Sequence, residues 1–137
     1  MHPHRLLSLA ILSAAVAACA TSRYRPSQGV MTQAQWNEAM GCIASAARSL
    51  GYEPSSASWG VGLSRIIPAS STHEAMVENG RFVGSPTSSG IQVRSDIVAA
   101  YRSGGPVSPS LRLRSARQAI DQQCLKPVLE PRAAQKH

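Results

Sequence analysis

The first eighteen residues constrain the fold most, because the folded domain is expected to lie entirely after them. Met1 to Arg5 is a short basic stretch, and residues 6–18 form an uninterrupted run of apolar and small residues, LLSLAILSAAVAA. A helix needs about 20 such residues to cross a bilayer, so this run is too short for a membrane span. A basic start followed by a short apolar run is typical of a secretory signal peptide. The sequence therefore predicts an exported protein whose folded part follows this segment.

Two cleavage patterns overlap at the end of the apolar run. Ala18-Cys19-Ala20 fits the A-x-A pattern of ordinary signal peptidase. Val16-Ala17-Ala18-Cys19 resembles the lipobox of bacterial lipoproteins, with an aliphatic residue, two small residues and a cysteine. The resemblance covers only the first 20 residues. It implies that Cys19 receives a diacylglyceryl thioether, becomes the mature N-terminus and is N-acylated. Ala20, where an aspartate could stand, resembles the pattern for release to the outer membrane.

The implied anchor has a simple physical basis. One acyl chain holds a protein only marginally at a bilayer, whereas two or three hold it stably, since each buried methylene contributes about 0.8 kcal/mol. We therefore expect a protein of the cell envelope, anchored through lipid on Cys19 at the periplasmic side of the outer membrane. Residues 1–18 are then the signal peptide, and 119 of the 137 residues form the mature chain.

The chain has three cysteines, Cys19, Cys42 and Cys124, and an odd number calls for an explanation in an exported protein. Lipid on Cys19 would leave the other two as a pair in an oxidising compartment, where thiols tend to form disulfides. Ordinary cleavage after Ala20 would leave the same pair. The expected disulfide closes a loop of about 80 residues and contributes roughly 4.5 kcal/mol at most. Two separate buried thiols are the alternative. No metal site is expected, because neither cysteine has a second ligand at the usual spacing.

Composition limits the mature chain to one domain with a modest core. Ordinary domains hold about 100–150 residues, and aromatic residues make up only 4% of the chain. The net charge of +7 favours contact with anionic surfaces such as lipid headgroups or acidic polymers. Solubility alone is the plainer explanation of that charge. The basic residues are dispersed, so no nucleic-acid-binding surface is indicated.

The mature chain divides into a tether, a domain and a tail. Residues 19–31 are interpreted as a flexible tether, because they are mostly polar and are interrupted by proline and glycine. Arg23 and Arg25 in this tether are candidates for contact with an anionic surface, or are simply solvated. Residues 32–126 form the single domain, and residues 127–137 are expected to be a frayed tail.

Two helices are predicted at the ends of the domain. Thr32 and Gln35 form a capping box. The apolar residues after it recur at helical spacing as far as Gly51: Trp36, Met40, Ile43, Ala47 and Leu50. The second helix is expected to begin at Pro109, capped by Ser108, and its apolar positions are Leu113, Ala116, Ile120 and Cys124. A short strand at residues 111–113, where leucines alternate with arginines, is the alternative there.

The segment between the helices has the character of strands. Trp59, Val61 and Leu63 alternate with smaller residues, which is typical of a strand. Asn79-Gly80 between apolar residues predicts a hairpin turn. Residues 91–95 are predicted to form a further strand, and residues 96–102 are left open between strand and helical turn.

Helix, three or four short strands and helix in this order predict an α+β fold. Two helices would pack on one face of a small antiparallel sheet of three to four strands, in the order α-β-β-β-α, as a two-layer sandwich. The Cys42–Cys124 disulfide would then join the two helices. This arrangement is similar to that of small exported bacterial lipoproteins with one cysteine in each of two helices beside a small sheet.

The sequence offers little that is typical of an active site. His73 is the one histidine within the domain, and it lies among Ser70, Ser71, Thr72 and Glu74. Adjacent residues rarely converge as a catalytic triad, and the G-x-S-x-G pattern is missing from the sequence. An envelope hydrolase using His73 is therefore the least favoured hypothesis, and we expect no enzyme and no cofactor.

The favoured hypothesis is a membrane-anchored binding or assembly module without catalytic activity. Its expected partners are the membrane, through the lipid on Cys19, and an envelope protein complex or an anionic lipid or polymer. The alternative is a structural envelope lipoprotein that contacts anionic headgroups.

Overall fold

The computed structural model describes residues 24–131, which form one antiparallel sheet with helices on one face. Cys19, Arg23, the expected signal peptide and residues 132–137 lie outside the described residues. The elements are, in chain order, β1 (Gly29–Met31), α1 (Gln33–Ser49), β2 (Glu53–Ala57), β3 (Gly60–Ile67), β4 (Met76–Thr87), β5 (Gly90–Tyr101), β6 (Pro106–Val107), α2 (Leu111–Ile120), a π-helical turn (Asp121–Leu125) and α3 (Lys126–Leu129). The strands lie in the order β1-β5-β4-β3-β2, and β6 pairs with the far end of β5.

Helix α1 forms where the sequence predicts it. The Thr32 side chain accepts a hydrogen bond from the Gln35 backbone N–H at 3.1 Å, and the Gln35 side chain accepts one from the Thr32 N–H at 2.9 Å. The two bonds satisfy backbone donors that a helix start leaves free. Gly51 follows the helix with φ +85°, a backbone conformation that favours glycine.

The predicted α+β class is confirmed, but the sheet is larger than the expected three or four strands. Strand β1 precedes α1, so the expected α-β-β-β-α order is wrong in detail. Strand β5 continues to Tyr101, in the stretch that the sequence left open. Helix α2 begins at Leu111 with Ser110 as its cap, two residues later than expected, and residues 111–113 are helical rather than extended.

The predicted hairpin at Asn79-Gly80 is wrong, because both residues lie in the middle of β4. Gly80 pairs there with Leu63 on one side and Ile97 on the other. A Cβ on Gly80 would lie 3.4 Å from Leu63 Cδ1 and 3.5 Å from Ile97 Cγ2. These are ordinary van der Waals distances, so the chain does not turn here because both residues pair with the strands on either side of β4.

The core lies between the helices and the inner face of the sheet. It forms a single cluster whose largest fully buried apolar side chains are Trp36, Phe82, Met31, Ile43, Leu63, Leu113, Ile120 and Leu125. Gly84 on β4 leaves space for the Trp36 indole, because a Cβ at position 84 would lie 2.5 Å from Trp36 Cε2.

A disulfide joins Cys42 on α1 to Cys124 in the π-helical turn. Their Cα atoms are 5.7 Å apart, and 82 positions separate them in the chain. The bond therefore connects the two parts of the helical layer that are far apart in sequence.

Candidate functional site

No element among residues 24–131 packs over the outer face of the sheet, which lies opposite the helices. Side chains alternate across a sheet, and the helices cover the face that carries Val61, Leu63 and Phe82. The other face carries rows of paired residues, such as Ser64, Asn79 and Val98 across three strands. Exposed apolar side chains lie on this outer face: Ile66 at 63%, Val98 at 55% and Trp59 at 40% exposure. We call this surface the outer face.

Trp59 forms the wall of a shallow groove on the outer face. It lies in the turn between β2 and β3, and its indole covers Gly62, where a Cβ would lie 3.3 Å from Trp59 Cη2. The groove has a volume of about 250 Å³ and continues to Asn79 and Arg81 on β4. Arg81 donates two hydrogen bonds of 3.1 Å to Asp96, which fixes the guanidinium at the end of the groove.

On the other side of the sheet, Asp121 holds the N-terminal segment against the helical layer. Its Oδ2 accepts a hydrogen bond of 2.7 Å from the Tyr24 hydroxyl and one of 2.9 Å from the Ser27 backbone N–H. Asp121 is 1% exposed, and its Oδ1 has no hydrogen-bond partner among residues 24–131. We call the Tyr24–Ser27–Asp121 arrangement the clasp.

Burial raises the pKa of Tyr24 above its ordinary value of 10.0. The hydrogen bond to Asp121 and the charge of that carboxylate raise this pKa further, while the nearby Arg117 opposes the shift. The Tyr24 hydroxyl is therefore a stable donor throughout the physiological pH range. Asp121 is the first residue of the π-helical turn, and such turns are rare and frequently occur at functional sites.

Two cavities flank Tyr24, and basic side chains line both. Arg25 and Lys126 line the larger cavity, of about 540 Å³. Glu130 is the carboxylate that lines it in addition to Asp121. The smaller, of about 270 Å³, includes Arg114 and Arg117. Arg117 is held in place by hydrogen bonds to the hydroxyl and the carbonyl oxygen of Ser95.

A second buried carboxylate, Glu78, lies on the inner face of the sheet. Its Oε2 accepts a hydrogen bond of 3.1 Å from the Ser110 backbone N–H, at the start of α2. Its Oε1 lies 3.9 Å from Arg65 Nη1 on the neighbouring strand. Burial and, to a lesser extent, the Glu78 charge raise the pKa of Tyr52 nearby. Since Glu78 connects β4 to the start of α2, its role in the fold is structural.

The structure places the residues around His73 in the loop between β3 and β4. His73 Nδ1 lies 2.9 Å from the Glu74 carbonyl oxygen, and the hydroxyls of Ser70 and Thr72 bond to each other at 3.1 Å. The Glu74 carboxylate accepts a hydrogen bond from Ser103 at 2.6 Å. Among the described hydrogen bonds, none joins His73 to a serine hydroxyl, so the nucleophile, base and orienting group of a triad are not assembled here.

The candidate site residues from the sequence fall into three groups. Cys42 and Cys124 are joined, Arg25 is exposed beside the clasp, and Cys19 and Arg23 lie outside the described residues. Sequence reasoning missed the clasp because its partners are 97 positions apart in the chain. It treated Trp59 as a strand residue, whereas Trp59 lies in the turn between β2 and β3.

Within residues 24–131, no group of three or more potential metal ligands comes together, and no helix has the length and apolar character of a membrane span. Comparison of the chain with protein families, with curated proteins and with solved structures finds no match.

Proposed function

We propose that this protein is a lipoprotein of the bacterial cell envelope, anchored through lipid on Cys19, that acts as a non-catalytic binding or assembly module. The outer face of the sheet is its binding surface. The observation that carries the proposal is the difference between the two sides of the sheet. The clasp holds the segment after the lipobox on the helical side, whereas the opposite face has exposed apolar residues and is not covered by any element of the part of the chain that the structure describes.

The anchor is supported by the lipobox pattern at residues 16–19 and by the position of the clasp. Tyr24 lies only five residues after Cys19, and its hydroxyl is bonded to Asp121. Much of the expected tether is thus part of the domain: its last three residues form β1, which pairs with β5. The expected location is the periplasmic side of the outer membrane.

The outer face fits a protein partner better than a small ligand. The groove beside Trp59 is shallow, at about 250 Å³, and the cavity of about 660 Å³ that reaches Ser64 and Ile66 is open to solvent, whereas small-molecule sites are usually enclosed clefts of about 300–1,000 Å³. A contiguous exposed apolar patch is typical of a surface that another protein covers, and Ile66 lies in one row with Val77 and Ala100 across three strands of the outer face. We therefore propose an envelope protein as the partner of this face.

Site-specific photocrosslinking in intact cells tests this assignment. A photoreactive amino acid placed at Ile66 or Val98 on the outer face should give an adduct of one discrete mass. The matched control is Leu111, which is 79% exposed on α2, away from the outer face, and should give none. Equal adducts at the three positions, or none at Ile66 and Val98, would contradict the assignment of the partner surface.

A further inference from the structure

We propose that the basic residues around the clasp seat the domain directly on an anionic lipid surface. Three exposed cations, Arg25, Arg114 and Lys126, form this surface, which we call the basic rim. The proposal deepens the proposed function and rests on it, because the lipid on Cys19 brings the rim to the bilayer.

The distance between lipid and clasp limits where the domain can lie. Five residue steps separate Cys19 from Tyr24, and five steps of extended chain reach at most about 18 Å. A domain of this length is roughly 30 Å across, from its expected radius of gyration of about 13 Å. The connection is therefore shorter than the domain is wide. The side that carries the clasp must remain next to the headgroups.

The charges on that side suit an anionic surface. Arg25 and Lys126 line one cavity beside Tyr24, and Arg114 lines the other with the half-buried Arg117. Asp121 is fully buried and accepts two hydrogen bonds. Glu130 is therefore the exposed carboxylate among the residues that line these two cavities. The two ion pairs found among residues 24–131 are Arg65–Glu78 and Arg81–Asp96, so neither uses a rim residue.

Contact between the basic rim and the lipid surface also fixes the direction in which the outer face points relative to the membrane. The clasp holds the chain against the helical layer, on the opposite side of the sheet from Trp59 and Val98. A domain whose rim touches the headgroups therefore turns its outer face away from the lipid, where a partner can reach it. The electrostatic term acts only near the surface, because charges are screened within about 10 Å at 0.1 M salt.

The test uses the mature chain without its lipid, residues 19–137 with Cys19→Ser, so that binding depends on the rim alone. The core cluster lies between Met31 and Leu125, so removing residues 1–18 leaves it intact. Flotation with vesicles of phosphatidylcholine containing phosphatidylglycerol should recover the protein at low salt. Vesicles of phosphatidylcholine alone, or 1 M salt, should not.

The matched variants remove the same charge from different places. One carries Arg25→Gln, Arg114→Gln and Lys126→Gln. The other changes exposed arginines on α1, the outer face and the β5–β6 turn: Arg48→Gln, Arg94→Gln and Arg102→Gln. Each cation at a membrane surface contributes about a fivefold factor in affinity. With three cations removed, the rim variant should therefore lose roughly a hundredfold of its vesicle partitioning, and the control variant much less.

The outcomes separate this proposal from the anchor. Equal losses in the two triple variants, or failure of the starting protein to bind anionic vesicles, would overturn seating on the rim and leave the lipid on Cys19 untouched. Conversely, absence of lipid at Cys19 in cells would refute the proposed function whatever the vesicles show. Circular dichroism of each variant establishes that the fold is retained.

Discussion

Asp121 has both carboxylate oxygens removed from water. One of them accepts hydrogen bonds from Tyr24 and Ser27, and the other has no partner among residues 24–131. Burial of a carboxylate is costly unless hydrogen bonds compensate it. Because both donors come from the N-terminal segment, the Asp121 carboxylate has these hydrogen bonds only when that segment is docked on the helical layer. A single side chain thus couples the N-terminal segment to the domain.

Replacing Tyr24 tests the clasp. Tyr24→Phe removes a donor from a buried carboxylate and should lower the free energy of unfolding by about 1–3 kcal/mol, measured by urea denaturation. Tyr101→Phe is the matched control, because Tyr101 is half-buried on β5 and takes no part in the clasp. An equal effect of the two substitutions would show that the Tyr24 hydroxyl has no special role.

The pKa of Tyr24 and that of Tyr52 are both raised, chiefly by burial. The folded state therefore retains phenol protons that the unfolded chain loses near pH 10. The stabilising contribution is complete below pH 10 and is lost as the pH rises through the folded-state pKa values. Urea denaturation between pH 8 and 11 should show falling stability above pH 10, with a smaller fall in Tyr24→Phe. A pH-independent stability in this range would contradict the raised values.

At the scale of elements, the sequence predicts those structures that local signals define. Helix α1 has both a capping box and an apolar stripe, and both act within a few residues. The strands β1 and β6 are only three and two residues long, and they exist because β5 offers them partners. Asn79-Gly80 has the composition of a turn but lies within β4, because both residues pair with β3 on one side and β5 on the other. Long-range pairing overrides local preference in both cases.

The candidate site depends on the same long-range information. The strand register decides which residues share the outer face. The sequence does not reveal this register when a turn is predicted at the wrong residues. Arg25 could be named from the sequence as a basic residue near the anchor. Arg114 and Lys126 could not, because they are far from Tyr24 in the sequence and line the cavities on either side of it only in the folded chain.

A pair of glycine substitutions tests the packing of α1 on the sheet. In Gly84→Ala the new methyl group would lie 2.5 Å from Trp36 Cε2 and 2.7 Å from Ile91 Cγ2, so we expect destabilisation by about 1–3 kcal/mol. Gly41→Ala is the control, because a Cβ there meets nothing within 4 Å. Alanine in a helix should instead stabilise the protein by about 0.5–1 kcal/mol. Thermal denaturation of both variants measures the difference, and a neutral Gly84→Ala would contradict the packing.

At the scale of the whole molecule, the disulfide and the clasp fasten the same short segment. Cys124 is bonded to Cys42 on α1, and Asp121, three residues earlier, holds the N-terminal segment. The π-helical turn is therefore joined to the first helix and to the N-terminal segment.

Removing the disulfide should destabilise the protein strongly. Cys42→Ala with Cys124→Ala opens a link between positions 82 residues apart, and the chain-entropy estimate for such a loop is a loss of roughly 4.5 kcal/mol at most. Small domains have only about 5–15 kcal/mol in total. The urea midpoint of the double variant should fall accordingly, and reductant should lower that of the wild type but not of the variant. An unchanged midpoint would contradict a structural role for the bond.

The central claim is that lipid on Cys19 holds this domain at the membrane. Intact-mass analysis of the protein purified from its native membrane fraction tests it most directly. The account predicts a mature chain that begins at Cys19 and carries a diacylglyceryl group and an N-acyl chain on that residue, with Cys19→Ser absent from the membrane fraction. A soluble mature chain that begins after Ala20 and carries no lipid would contradict it.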